Sequence, residues 1–123
     1  MFDRSIVNAA IEYAARQGGL ANSPVEVRQS SEVMLCAASV IAYAGLKHKY
    51  GKDRAESFAH ALASGTGKHT VEATFAELGW PVALCTQVMI DNDGTDPESR
   101  VGWFRTRLLN GSSARESNQG RVS

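Results

Sequence analysis

The feature that most constrains this fold is a run of fourteen residues without a charge, Val33–Leu46. A bilayer span needs about 20 apolar residues, so this run is too short to cross a membrane and suits a buried helix. Polar residues flank it, with Glu32 directly before it and Lys47 directly after it. Its alanines and Gly45 leave little side chain between this helix and its neighbours. We therefore predict a buried central helix over about residues 30–49.

Apolar residues recur at spacings of three and four along most of the remaining chain, which predicts five further helices. These helices lie at about residues 3–17, 52–63, 69–78, 81–91 and 96–109. Ahead of the central helix, Val25 and Val27 alternate with charged residues, as in a short strand. Ser23-Pro-Val-Glu26 also matches a helix-capping box, so we favour a loop or a single helical turn in this segment.

Length and loop spacing indicate one domain with a tail. A chain of 123 residues can bury a working core unaided. Short connections favour antiparallel neighbours, so we predict an all-α, bundle-like domain of about six helices over residues 1–111. Asn110-Gly111 is the predicted stop of the last helix. Residues 112–123 contain almost no apolar side chains, and we predict that they form a disordered tail.

Charge is balanced overall but unevenly distributed along the chain. Thirteen basic and thirteen acidic residues cancel, so no net field draws the protein to nucleic acid or to a membrane surface. Four basic residues lie between Lys47 and Arg54, whereas the stretch from His69 to Ser99 holds six acids and neither lysine nor arginine. Complementary faces could support self-association, although ordinary solvated helix faces explain the same pattern.

Three local patterns resemble known binding motifs but fail at required positions. Gly65-Thr-Gly-Lys68 lacks the first glycine of a phosphate-binding loop and the hydroxyl residue that follows its lysine. A calcium loop counted from Asp91 would need glycine at Asp96 and glutamate at Gly102. A helix-turn-helix motif beginning at Ala76 is one residue too short, and its second helix has no cation for phosphate contacts.

No recognised catalytic or metal-binding constellation is present in the sequence. Cys36 and Cys85 both lie in apolar runs, where free cysteines usually act as small buried side chains. His48, His60 and His69 fall at no known metal-ligand spacing. We predict no catalytic residues, no cofactor and no metal. The sequence leaves open whether the cysteines are reactive and whether the histidines bind a metal.

The leading hypothesis is a small non-enzymatic binding or regulatory module that acts as a homodimer or with a protein partner. Trp80 and Trp103 lie beside turns or on partly polar helices, where aromatic anchors for partners often occur. The alternative is a nucleic-acid-binding regulator that uses Arg100, Arg105 and Arg107 of the last helix. A third hypothesis is a small enzyme with an unrecognised site. The N-terminus shows no signal peptide, so we expect a cytoplasmic protein without membrane attachment.

Two segments resemble families of small, uncharacterised bacterial helical domains. One is Leu35-Cys-Ala-Ala-Ser39, which opens a helix of small residues. The other is Asn92-Asp93, followed by the helix Arg100-Val-Gly-Trp-Phe-Arg105. Those families pair a Cys-Ala helix with an Asn-Asp turn that leads to a final amphipathic helix. The resemblance implies a helical fold and a bacterial source, and it implies no activity because the function of those families is unknown.

Overall fold

The structure, a computed structural model, describes residues 2–22, 24–27 and 33–121, with side chains as far as Asn110 except that of Val27. The helices are α1 (Arg4–Gln17), α2 (Ala37–Tyr50), α3 (Lys52–Ala63), α4 (Lys68–Glu77), α5 (Val82–Asp93) and α6 (Arg100–Arg121). Two short strands, β1 (Val25–Val27) and β2 (Val33–Leu35), complete the fold. This is the all-α architecture that the sequence predicts. Over the residues described, no helix is both long and apolar enough to cross a membrane.

Helix α2 forms the centre of the fold. Every residue from Ala37 to Leu46 is buried, and the helix reaches solvent only in its last turn, Lys47–Tyr50. Helices α1 and α3 pack along it, and α4 and α5 also contact it. The prediction of a buried central helix is confirmed, but its predicted start is wrong. The helix begins at Ala37 because Val33–Leu35 are extended, and the predicted start at Ser30 lies outside the described residues.

The segment before α2 forms a β-hairpin instead of the predicted loop or helical turn. Strands β1 and β2 pair antiparallel, with Val25 opposite Leu35 and Glu26 opposite Met34. The alternating valines are therefore a strand signal, and the capping-box interpretation of this segment is wrong. Leu35 is fully buried, so the hairpin attaches the start of α2 to the core. Gln17 strengthens this junction by bonding to both the backbone N–H and the C=O of Leu35.

The ends of α1 and α3 follow their sequence signals closely. Asp3 caps α1, and its carboxylate accepts a hydrogen bond of 2.8 Å from the backbone N–H of Ser5. Gly18 ends α1 with φ of 82°, a left-handed conformation that glycine adopts without strain. Helix α3 occupies the predicted range, since its apolar residues form one continuous stripe. The buried members of that stripe are Ala55, Phe58, Ala59 and Leu62.

The last helix differs from its prediction at both ends. A 3₁₀ turn at Pro97–Ser99 precedes it, so the α-helix begins at Arg100. Its backbone is helical to Arg121, beyond the stop predicted at Asn110-Gly111. Glycine in a helix interior costs about 1 kcal/mol and does not forbid the helix, so Asn-Gly is a weak stop signal. The disorder predicted for residues 112–123 stays a prediction, and the last two of them lie outside the described residues.

Gly45 allows the connection between α4 and α5 to pack closely against α2. Trp80, in that connection, makes edge-on ring contacts with Phe2 and Phe75 at centroid distances of 4.7 and 5.3 Å. A Cβ atom at Gly45 would lie 2.5 Å from the Trp80 ring and 2.7 Å from Leu78. Carbon atoms pack at about 3.5–4.0 Å, so no side chain fits there without movement. The missing side chain of Gly45 is what admits Trp80.

Gly45→Ala should destabilise the protein by about 1–3 kcal/mol, the usual range for overpacking a core. The better helix propensity of alanine, about 1 kcal/mol, lessens this loss. Gly102→Ala is the matched control, because it also lies within a helix and its Cβ position meets open space. We expect that variant to be more stable by up to about 1 kcal/mol. Urea unfolding measures both changes, and a neutral Gly45→Ala would show that Trp80 moves aside at no cost.

Candidate functional site

A cleft of about 410 Å³ lies where the last turns of α1 and α2 meet the start of α3. We call it the tyrosine cleft. Its lining consists of Tyr13, Arg16, Gln17, Tyr43, Lys47 and Lys52. The cleft therefore combines two phenol rings with three cationic side chains and one amide.

Two tyrosines form the inner wall of the tyrosine cleft. The rings of Tyr13 and Tyr43 lie 4.7 Å apart between centroids and are inclined by 43°. The Tyr43 hydroxyl donates a hydrogen bond of 2.5 Å to the carboxylate of Glu56 on α3. Burial, together with Glu56, raises the pKa of both phenols. Both side chains are therefore neutral at physiological pH, and the single hydroxyl proton of Tyr43 is already donated to Glu56.

The cations of the tyrosine cleft are exposed and only weakly paired. Lys47 and Lys52 are exposed at the ends of their helices. Arg16 lies 3.7 Å from Glu12, and the two side chains are 66% and 71% exposed, so this pair contributes little. Gln17, in contrast, is held in place, since its Nε2 donates to the carbonyl oxygens of Gly19 after α1 and of Leu35 in β2. The cleft thus places exposed cationic donors beside the tyrosines and Gln17.

Arg54 belongs to the same basic segment but is bound within the chain. Its guanidinium makes two hydrogen bonds, of 2.7 and 2.9 Å, to the carboxylate of Glu77 and lies 4.8 Å from the centre of the Tyr50 ring. The hydrogen bond from Arg54 lowers the pKa of the Glu77 carboxyl. The basic and acidic segments of the sequence therefore meet in space here, which weakens the idea of two separate complementary faces.

The three arginines proposed for nucleic acid do not form one surface. Arg100 is 6% exposed, and Arg107 makes a 2.8 Å ion pair with Asp91 on α5. Of the three, Arg105 alone is exposed. Arg100 is not accessible for the nucleic-acid contact predicted of it, because it lies four residues before Phe104 and shares that residue's buried face.

The guanidinium of Arg100 joins three segments of the chain inside the protein. It donates to the carbonyl oxygens of Leu20, Asn92 and Thr95 at 3.2, 2.9 and 2.9 Å, and to the side chain of Asn22 at 3.1 Å. The loop after α1, the end of α5 and the turn before α6 are thereby held together. Arg100 is a structural residue that the sequence analysis assigned to the wrong role.

Asn92 is a second buried polar residue that the sequence analysis did not identify as structural. It is 0% exposed. Its Oδ1 accepts a hydrogen bond of 3.3 Å from the backbone N–H of Ala37, and its Nδ2 donates one of 2.8 Å to the carbonyl of Ala21. Asn92 follows Cys85 and Val88 on the buried face of α5, and that spacing is the signal for its burial. Asn92 thereby provides a hydrogen-bond acceptor for the buried N–H of Ala37, in the first turn of α2.

A second, smaller cleft of about 280 Å³ lies beside the first turn of α2. Cys36, Lys68 and Asp93 line it together with the exposed Ile90 of α5. The Cys36 sulfur lies 3.4 Å from the Ser39 hydroxyl. Burial raises the pKa of the Cys36 thiol, so the thiolate required of a nucleophile is disfavoured. The arrangement therefore does not resemble an activated cysteine site.

Cys85 is even less suited than Cys36 to act as a nucleophile. It is 0% exposed, and burial raises the pKa of its thiol to about 12. Both cysteines are free thiols, as the sequence analysis expected of small buried side chains.

We expect neither thiol to react quickly with an aromatic disulfide reagent in the native protein, because burial hinders access and disfavours thiolate formation. Both should react at once in concentrated guanidinium. Cys36→Ser and Cys85→Ser, each labelled separately, assign the signal to one residue. Rapid native labelling that disappears in Cys36→Ser would show that the smaller cleft admits reagents, which would contradict this expectation.

The histidines lie apart from both clefts. His48, His60 and His69 are exposed, and none lines either opening. His69 lies 3.8 Å from Glu72, one turn away on α4. Across the part of the chain that the structure describes, no group of three His, Cys, Asp or Glu side chains could hold a metal ion.

The two tryptophans are partly buried and pack against the core. Trp80 contacts Phe2 and Phe75, as described above, and the Trp103 ring lies 6.3 Å from that of Phe104. Core packing therefore accounts for much of each ring, and neither is a freely exposed anchor.

Comparison of the chain with protein-family models, curated proteins and solved structures finds no match.

Proposed function

We propose that this protein is a small, non-enzymatic binding module and that the tyrosine cleft is its binding site. The observation that carries the proposal is the convergence of Tyr13, Tyr43, Arg16, Lys47 and Lys52 on one opening of about 410 Å³. Ligand sites are typically concave, with an apolar wall and a few converging polar groups, and have volumes of about 300–1,000 Å³.

The protonation of the two cysteines and the hydrogen bonding of Tyr43 support binding over catalysis. Covalent catalysis by cysteine needs a thiolate beside a base, whereas burial raises the pKa of both thiols in this chain. Acid–base catalysis needs a titratable group directed at substrate, and Tyr43 already donates to Glu56. The side chains of the tyrosine cleft are therefore arranged as donors and contacts.

The proposal includes self-association and a cytoplasmic location. On α5, Val82 and Ile90 are 42% and 59% exposed and lie eight residues apart, which places them on one face of the helix. The polar Thr86 lies between them, and the two exposed apolar side chains suit contact with a second copy or a protein partner. The free thiols Cys36 and Cys85 suit a reducing compartment. Light scattering tests the dimer, and Ile90→Asp should shift it towards monomer.

Nucleic-acid binding through the arginines of α6 is less well supported, because affinity for DNA depends on several cations contacting phosphates. Arg100 is buried and Arg107 is paired with Asp91. The cations of the tyrosine cleft remain available for an anionic partner.

A fragment screen by ¹H–¹⁵N NMR tests the binding module directly. We expect weak binders to shift the backbone signals of Tyr13, Tyr43 and Lys52 as one group. Signals around Asn22 and Ile90, which border the smaller cleft, serve as the internal comparison. Binders that collect at the smaller cleft, or turnover of a bound fragment, would contradict the proposal.

A further inference from the structure

We propose that the ligand of the tyrosine cleft carries a phosphate group, as in a small organic phosphate monoester. This inference rests on the proposed function and names the chemical class of its ligand. Arg16, Lys47 and Lys52 would contact the phosphate oxygens, and the rings of Tyr13 and Tyr43 would contact the organic part.

The donors around the tyrosine cleft match a phosphate better than a carboxylate. A phosphate monoester has a charge of about −1.5 to −2 at neutral pH and three terminal oxygens that accept hydrogen bonds. A carboxylate has one charge and two oxygens. Three separate cationic side chains line the cleft. Arginine provides a planar fork of donors and lysine a mobile point charge, and both are used for phosphate.

The start of α3 also favours an anionic group such as phosphate. Lys52 is the first residue of this helix, and Gly51 before it makes no side-chain capping bond. The first turn of a helix carries N–H groups without partners in the helix and a partial positive charge. The cation of Lys52 and the positive end of α3 therefore lie at the same edge of the cleft, where the carboxylate of Asp53 offsets part of their charge.

Three carboxylates near the cleft limit its affinity for anions, and one of them, Asp53, lies in the first turn of α3. Glu56 accepts the hydrogen bond of Tyr43, and Glu12 lies near Arg16. Removing the charge of Glu56 while keeping an acceptor for Tyr43 should therefore strengthen binding. This gives the proposal a variant that gains affinity, which a merely misfolded protein would not show.

The volume favours a small molecule. A cleft of about 410 Å³ holds a phosphate and a ring-sized group. The neighbouring Arg54, which could extend the contact to a phosphate chain, is bound to Glu77. A single phosphate group with a compact organic substituent therefore fits the described surface better than a polymer.

The test is an NMR titration of the full chain with phenyl phosphate, and with benzoate as a carboxylate of similar size. We expect phenyl phosphate to shift the signals of Tyr13, Tyr43 and Lys52 and to bind more tightly than benzoate. Lys47→Met and Lys52→Met should each weaken binding about 2- to 5-fold, as expected for loss of one exposed charge contact. Glu56→Gln should strengthen it about 2- to 5-fold.

Lys68→Met is the matched control, because Lys68 is an exposed lysine that lines the smaller cleft. It should leave phenyl phosphate affinity unchanged. Equal or tighter binding of benzoate at the cleft would overturn the phosphate assignment and leave the binding module standing. No shift with either probe would overturn the assignment and show that these cations serve only the helix ends.

A short single-stranded oligonucleotide separates a small ligand from a polymer. We expect it to bind no more tightly than phenyl phosphate. Lys49 does not line the cleft. If the oligonucleotide bound much more tightly than phenyl phosphate, and Lys49→Met weakened that binding, a nucleic-acid surface would replace the small-molecule proposal.

Discussion

Asn92→Ala is expected to lower the free energy of unfolding by about 2–6 kcal/mol. The Asn92 side chain is fully buried and bonds to the N–H of Ala37 and the C=O of Ala21. Alanine leaves both backbone groups in the core without this partner, at a cost of about 1–3 kcal/mol for each. Urea unfolding measures this loss. If the dependence of the unfolding free energy on urea concentration is the same in both proteins, the variant differs in stability alone.

Thr86→Ala on the same helix is the control for this prediction. Thr86 is exposed, and its hydroxyl bonds only weakly to the carbonyl of Val82, at 3.4 Å. Exposed substitutions of this kind usually change stability by less than about 0.5 kcal/mol. If Asn92→Ala cost no more than Thr86→Ala, solvent would have to replace the amide, and the buried position of Asn92 would be wrong.

Ile41→Ala and Leu35→Ala should each cost about 2–5 kcal/mol, the range for deleting a buried branched side chain together with the cavity that remains. Ile41 is 1% exposed in the middle of α2, and Leu35 is 0% exposed at the junction of β2 and α2. The Leu35 variant also tests whether the hairpin contributes to the core as fully as the helix does. Denaturant unfolding of both variants gives the comparison.

Ile90→Ala is the matched control, since the same side chain is 59% exposed on α5. At low protein concentration it should cost less than about 0.5 kcal/mol. A larger loss that grows with protein concentration would support the proposed association through Ile90. A small loss in Ile41→Ala would contradict the central position of α2.

The helices were predictable because each carries its own local pattern. The stripe containing Phe58 and Leu62 defines α3, and Asp3 and Gly18 mark the ends of α1. The hairpin was not predictable from the same reasoning. Val33–Leu35 continues directly into the buried helix, and a short apolar run does not distinguish strand from helix. The pairing partner that settles the question lies in a different segment, Val25–Val27.

The buried polar residues were predictable in part. Asn92 continues the face of Cys85 and Val88, and Arg100 continues that of Phe104, so helical spacing alone places both inward. Their partners were not predictable, because Ala21 lies 71 positions before Asn92 and Leu20 lies 80 before Arg100. A polar residue on an apolar stripe is thus a signal for a buried network.

The tyrosine cleft could not be derived from the sequence. Tyr13 and Tyr43 belong to different helices, and only the packing of α1 on α2 brings their rings to 4.7 Å. The sequence shows the basic residues from Lys47 to Arg54. It does not show that Arg54 is paired while the lysines are exposed, because the partner of Arg54 is Glu77, 23 positions later in the chain.

The placement of the two tryptophans has a practical consequence. Trp80 touches Phe2 near the N-terminus and lies over Gly45, whereas Trp103 lies on α6. Replacing either one by phenylalanine leaves a single indole fluorophore in a known environment. Emission from Trp80 then follows detachment of the N-terminal segment, and emission from Trp103 follows release of the last helix. The two tryptophans thus act as intrinsic fluorescent reporters of the order in which the N-terminal segment and the last helix unfold.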